Sequence, residues 1–339
     1  MWISNPLQNE GPIPMLWLSV IFALIFAFVN GLRDGSSIMA GVISSRSLSP
    51  RMARNLCGLA ELIAPFLFGI EVAKTLTTGL VDSRVVSLSS ITAAIAAALA
   101  WTVLAWLRGI PSSSSHALVG GILGAALTIG GPRSIISSGL YKVLLPLFLA
   151  PVIGLGVGYI VMKIILCLMQ NATPRINVVF KQLQILTMMG LALSHSANDA
   201  QKSMGIITLG LLLAGKIQSF DVPFPIIALC AVAIAAGAQR GDWRLMRTLG
   251  RKIYLIRPIN ALASQAASTS VVLISAILGA PVSTSQVISM ALLGTGAAER
   301  MNKVRWQIGG EMLITWFLTV PITMLIAAFF VKGFTALHF

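Results

Sequence analysis

Residues 109–124 read GIPSSSSHALVGGILG, and residues 279–294 read GAPVSTSQVISMALLG. The two windows lie 170 residues apart and agree at six of sixteen positions: both glycines, the proline, two serines and a leucine. Neither contains an acid, and each passes from hydroxyl side chains into an apolar run. Proline lacks an N–H and fixes φ, while serine and threonine cap a following helix, so each phrase reads as a chain break and a new helix start. The free amides at such a start, together with the positive end of the helix dipole, attract an anion. Ser112, Ser113, Ser114, Ser115, Ser283, Thr284 and Ser285 add neutral hydroxyl donors. Hydroxyls also join helices to one another in membranes, so one phrase alone would say little. Two of them, each opened by proline, form a donor-rich cup for a small tetrahedral oxyanion if their tips meet.

Composition places the phrases inside a bilayer. Of 339 residues, 56% are hydrophobic and 10% are charged, whereas soluble chains carry about 25% charged residues. Apolar stretches of membrane length recur at 14–31, 55–76, 85–107, 139–168, 222–239, 258–278 and 309–331. Shorter ones lie at 35–43, 113–130, 183–193, 203–215 and 286–298. The expected fold is an all-α polytopic membrane protein of the plasma membrane, in contact with lipid along its length, with no cleaved signal peptide. Cys57, Cys167 and Cys230 are widely spaced within apolar runs and read as small buried hydrophobes. A net charge of +14 does not point to nucleic acid, because the bases sit in short inter-helical loops without interleaved aromatic residues.

A second repeat divides the chain. Residues 30–40 read NGLRDGSSIMA and residues 195–205 read HSANDAQKSMG; aligning Asp34 with Asp199 also aligns Met39 with Met204. With the polar seam QNATPRIN at 170–177, the halves become 1–172 and 173–339. The first holds the acidic motif 30–40 and a hairpin motif at 109–130; the second holds an acidic motif at 194–205 and a hairpin motif at 279–298. Duplication of this kind marks many secondary transporters. Arg240, Arg244, Arg247, Arg251, Lys252 and Arg257 precede the second hairpin, and Arg300, Lys303 and Arg305 follow it. The first hairpin is flanked only by Asp82, Arg84 and Arg133. By the positive-inside bias, the two hairpins enter from opposite sides as re-entrant pairs in an inverted-topology repeat.

Asp34 and Asp199 fall between apolar runs, where an ionised carboxylate needs a partner, water or a cation. With Asn198 they are the candidate group for the coupling ion, sodium or a proton, and no other metal or cofactor is expected. A fixed ion pair with Arg33 or Lys202 is the competing reading. Glu61, Glu71 and Glu311 fit either a proton relay or helix packing, and His116 and His195 read as hydrogen-bonding structural residues.

These residues resemble a known family. SHSANDAQKSMGIITL (194–209) resembles the second signature of the PiT inorganic phosphate transporters, and FVNGLRDGSSIMAGVISSRSLSPR the first. The two hydroxyl phrases resemble the family's paired proline–serine/threonine motifs, and RKIYLIRPINALASQ (251–265) matches the pattern before the second hairpin. The resemblance implies a dimeric symporter of phosphate with sodium or protons, the phosphate travelling free or as a metal complex. It assigns Ser113, Ser114, Ser115, Ser283, Thr284 and Ser285 to substrate, and Asp34, Asn198 and Asp199 to the coupling ion. Arg33, Ser37 and Lys202 depart from the asparagines usual in sodium-coupled members, and Gln286 stands where the first hairpin has His116. These departures favour protons over sodium. They also make Arg33 and Lys202 candidate substrate-side cations, since fixed positive charge and a planar guanidinium both suit an oxyanion. The alternatives are transport of another oxyanion such as sulfate, or a passive anion channel. An enzyme is disfavoured, because the sequence spacing announces no metal-ligand cluster and no nucleophile with a matched base.

Overall fold

The computed structural model of the protein describes residues 13–173, 175–241 and 257–337. Among the described residues, eleven α-helices span Ile13–Ser44 (α1), Pro50–Leu67 (α2), Glu71–Thr78 (α3), Leu88–Arg108 (α4), Ser114–Gly130 (α5), Ser137–Leu168 (α6), Ile176–Leu213 (α7), Phe224–Arg240 (α8), Pro258–Ile277 (α9), Thr284–Glu299 (α10) and Trp306–Ala336 (α11). Six are long and apolar enough to cross a membrane, or seven if α2 and α3 form one bent span. The chain is therefore an all-α, multi-pass membrane protein. Arg244, Arg247, Arg251 and Lys252, on which the orientation argument leans, lie outside the described residues.

Three expectations change. The apolar runs 14–31 and 35–43 are one helix of 32 residues, and 183–193 and 203–215 are one helix of 38. Each acidic phrase thus lies in mid-helix rather than between helices. An α-helix satisfies its own backbone hydrogen bonds, so a polar phrase need not interrupt it if its side chains face protein. The run 55–76, by contrast, is not one helix: α2 and α3 meet at a 71° bend. The bend frees two amides at the start of α3, and Gln201 on α7 takes them up, its Oε1 accepting from Val72 N at 2.9 Å and Ala73 N at 3.4 Å. Of the cysteines, Cys57 and Cys230 are buried, but Cys167 is exposed on α6.

The hydroxyl phrases follow the same backbone course. Gly109 and Gly279 end α4 and α9 with φ of 66° and 69°, a left-handed turn that glycine adopts without strain. Behind them Ile110 N donates to Ala105 O and Ala280 N to Ser275 O, both at 2.8 Å. The chain then runs extended through the proline, and the next helix opens as Ala117 N meets Ser113 O and Val287 N meets Ser283 O, each at 3.0 Å.

Packing exchanges partners between the halves. The return helix α10 lies along α6, while α5 lies along α11; α8 packs on α1 and α2, while α7 packs on α2 and α3. Small residues permit this closeness, as is usual between helices in lipid. A Cβ on Gly31 of α1 would sit 2.0 Å from Ile234 O of α8, and one on Gly237 of α8 would sit 2.0 Å from Phe28 O of α1.

Candidate functional site

The mid-helix phrases of α1 and α7 meet the hairpin tips at the centre of the molecule. Asp34, Asn198, Asp199, Lys202, Ser113, Ser114, Ser115, Ser283 and Thr284 are all buried, Arg33 is 7% exposed, and Ser285 is half-buried. The tips touch directly: Ser115 Oγ donates to Val282 O at 2.8 Å, and Gln286 Nε2 lies 3.5 Å from His116 Nδ1. Thus Gln286 faces His116, its counterpart in the first phrase, across the junction.

His195 is the hub of the acidic cluster. Its Nδ1 lies 2.8 Å from Glu61 Oε1, and its Nε2 lies 3.3 Å from Asp199 Oδ2 and 3.7 Å from Asp34 Oδ2. Asp34, His195 and Asp199 each present a ligand atom within 4.8 Å of the others, close enough to hold a cation. Lys202 completes the cluster, ion-paired with Asp199 and donating to Ser115 Oγ at 2.6 Å and Val282 O at 3.0 Å. Three carboxylates, one fixed cation and one imidazole are thereby buried together. Charges held this far from water persist only as a mutually paired set.

The structure divides the sequence candidates by what they touch. Lys202 pairs with Asp199, whereas Arg33 donates its Nη2–H to Ser112 O at 2.8 Å, binding α1 to the first phrase. Asn198 is engaged by backbone: its Nδ2 donates to Ala280 O at 3.1 Å, and its Oδ1 accepts from Val282 N at 3.4 Å. Its carboxamide straddles Pro281, holding the second phrase to α7. Ser113 caps α5, accepting from His116 N at 3.2 Å and sitting 2.9 Å from His116 Nδ1. Ser283 makes no such cap, so the α10 N-terminus keeps its amides open. Ser112 Oγ and Thr284 Oγ1 are buried without a partner, one at each tip. Buried unpaired polar atoms are costly, and two at facing tips suit a ligand that supplies acceptors.

Sequence reasoning undervalued Glu61 and His195. A signal existed for both: His195 stands four residues before Asp199, on the same helix face, and Glu61 is an ionisable group in an apolar run. Their pairing spans 134 residues, and nothing local announces it.

Comparisons with known proteins show the family. The model of the phosphate transporter family matches residues 30–175 and 168–327. A protein of Rhizobium meliloti (strain 1021) named "Probable low-affinity inorganic phosphate transporter" is 38% identical over 317 residues, covering 93% of this chain and 95% of its own. One of the same name from Bacillus subtilis (strain 168) is 36% identical over 315 residues, covering 92% and 94%. A solved structure described as "The sodium-dependent phosphate transporter" matches with a TM-score of 0.85 over 96% of this chain and 100% of that one. Its sequence is 21% identical, so the likeness is one of fold.

Proposed function

We propose a function from one premise: the chain belongs to the phosphate transporter family, a family of transporters rather than enzymes. The protein carries inorganic phosphate across the membrane by symport, with the proton favoured over sodium as coupling ion. One observation carries the reading: two hydroxyl tips close on each other beside a buried set of three carboxylates, an imidazole and the Lys202 ammonium.

Phosphate is received between the tips. Thr284 and Ser112 offer unpartnered hydroxyls, and the open α10 N-terminus offers amides. Ser113, Ser114, Ser115, Ser283 and Ser285 complete the cup, with Arg33 and Lys202 supplying positive charge behind it. Asp34 and Asp199 serve the coupling ion through His195. Asn198 serves it indirectly, by fixing the second phrase. Three features support protons. Lys202 already neutralises Asp199, Asn198 is engaged by backbone, and Glu61, His195 and the two aspartates form a chain of proton-exchanging groups. The halves 1–172 and 173–339 act as inverted repeats whose hairpins α4–α5 and α9–α10 are re-entrant. The exchanged packing of α5 on α11 and α10 on α6 supports that pairing, as does the family match in two segments that meet near residue 170. The working unit is a homodimer, as the family resemblance implies, and a metal–phosphate complex is an admissible cargo.

Uptake of radiolabelled phosphate into proteoliposomes tests the reading, with a proton gradient and a sodium gradient imposed separately and excess sulfate as competitor. Accumulation driven by the proton gradient and unaffected by sulfate is the expected result. Accumulation only with sodium overturns the coupling assignment, sulfate uptake overturns the substrate, and equilibration without accumulation identifies a channel.

A further inference from the structure

Lys202 is 1% exposed, yet its three N–H bonds all find oxygen: Asp199 Oδ1, Ser115 Oγ at 2.6 Å and Val282 O at 3.0 Å. One carboxylate, one hydroxyl and one main-chain carbonyl, with no nitrogen among them, is the kind of donor set that holds a hard metal cation. The three oxygens come from three parts of the chain: α7, the first turn of α5 and the extended second phrase. Ser115 and Val282 are also hydrogen-bonded to each other, so the ammonium sits where the two tips close on α7. A metal ion in that place would hold the same three parts together and would come and go. A lysine side chain holds them permanently, because its stem ties the charge to α7.

We propose that Lys202 is a built-in cation: its ammonium fills an all-oxygen site on which both hydroxyl phrases close, and so keeps sodium out of that site and fixes which ion couples to transport. Removing the ammonium leaves Asp199, Ser115 and Val282 around a vacancy of ionic size. The ligand class it takes is a monovalent hard cation, sodium first. The role in ion selection rests on the phosphate-transport reading; the latent cation site does not.

The two parts are tested apart. Purified wild type, Lys202→Asn and Lys202→Gln are unfolded thermally in sodium chloride and in choline chloride, and each is assayed for retention of radiolabelled sodium. Wild type is expected to unfold at the same temperature in both salts and to retain no sodium at this site. Each variant is expected to unfold lower than wild type in choline chloride and to regain at least about 3 °C in about 100 mM sodium chloride. The regain is lost when Asp199→Asn is added to Lys202→Gln. A lysine that merely neutralises Asp199 predicts the loss without the regain, and that result overturns the inference. So does a wild type that responds to sodium as strongly as the variants. A variant that yields folded protein in neither salt also counts against it, because sodium should refill a vacated site. Failure of wild-type phosphate uptake overturns the functional reading and leaves this binding result standing.

Discussion

Asn198 separates a positioning role from an ion-binding one, and the structure gives the size of the effect. Its carboxamide makes two bonds to the second phrase, to Ala280 O at 3.1 Å and from Val282 N at 3.4 Å. Asn198→Ala removes both. Hydrogen bonds between membrane helices are worth about 0.6 kcal/mol on average, with a maximum near 1.7. Loss of a partner adds the penalty of a buried unsatisfied group, about 1–3 kcal/mol. Val282 is 0% exposed, so its N–H bears that penalty in full, whereas Ala280 is only half-buried and bears less. The sum is about 2–4 kcal/mol. If about 1.4 kcal/mol of it falls on holding the phrase in place for substrate, the KM for phosphate rises about tenfold. Two assays read this: thermal unfolding of the purified variant, expected several degrees below wild type, and proteoliposome uptake as a function of phosphate. The KM change should be the same whichever cation is present. A variant that unfolds with wild type and keeps its KM, changing only in ion dependence, refutes the clamp and makes Asn198 an ion ligand.

Three further outcomes follow from the same geometry. Glu61→Gln keeps an oxygen near His195 and should fold while losing proton-driven accumulation, whereas Glu61→Ala leaves the buried His195 Nδ1 without its partner and should cost about 3–5 kcal/mol, read as loss of monodisperse protein. Ser115→Ala removes the hydroxyl that joins Lys202 to the second phrase and should lower phosphate uptake at least about tenfold; uptake near the wild-type rate would mean the tip junction is idle in transport. Gly31→Val places a Cβ 2.0 Å from Ile234 O and should destabilise the α1–α8 crossing by about 1–3 kcal/mol or more, while Gly69→Ala, with nothing within 4 Å, should be silent in the same unfolding assay.

What the sequence made legible was chemistry that repeats or is expensive in a membrane. The two hydroxyl phrases were readable because glycine, proline and serine each impose a local backbone choice, and those choices recur in the structure at Gly109 and Gly279 and at the starts of α5 and α10. The acidic phrases were readable because carboxylates are rare in apolar sequence. Their setting was not: nothing in the run of residues around Asp34 or Asp199 distinguishes a polar phrase inside one helix from one between two, since an unbroken helix needs only that the side chains face protein. The α2–α3 bend was equally hidden, because what makes it tolerable is Gln201, more than a hundred residues away, taking up the freed amides. Lys202 shows where the boundary falls. Its pairing with Asp199 follows from a spacing of three along a helix and could be written down from the sequence. Its reach to Ser115 and Val282, 87 and 80 residues off in opposite directions, could not, because it depends on both hairpin tips arriving at one point of α7. The local spacing alone describes a neutralised aspartate. The tertiary contacts place the same lysine where both hairpin tips meet α7, and that placement, not the spacing, is what the proposed role in ion selection is argued from.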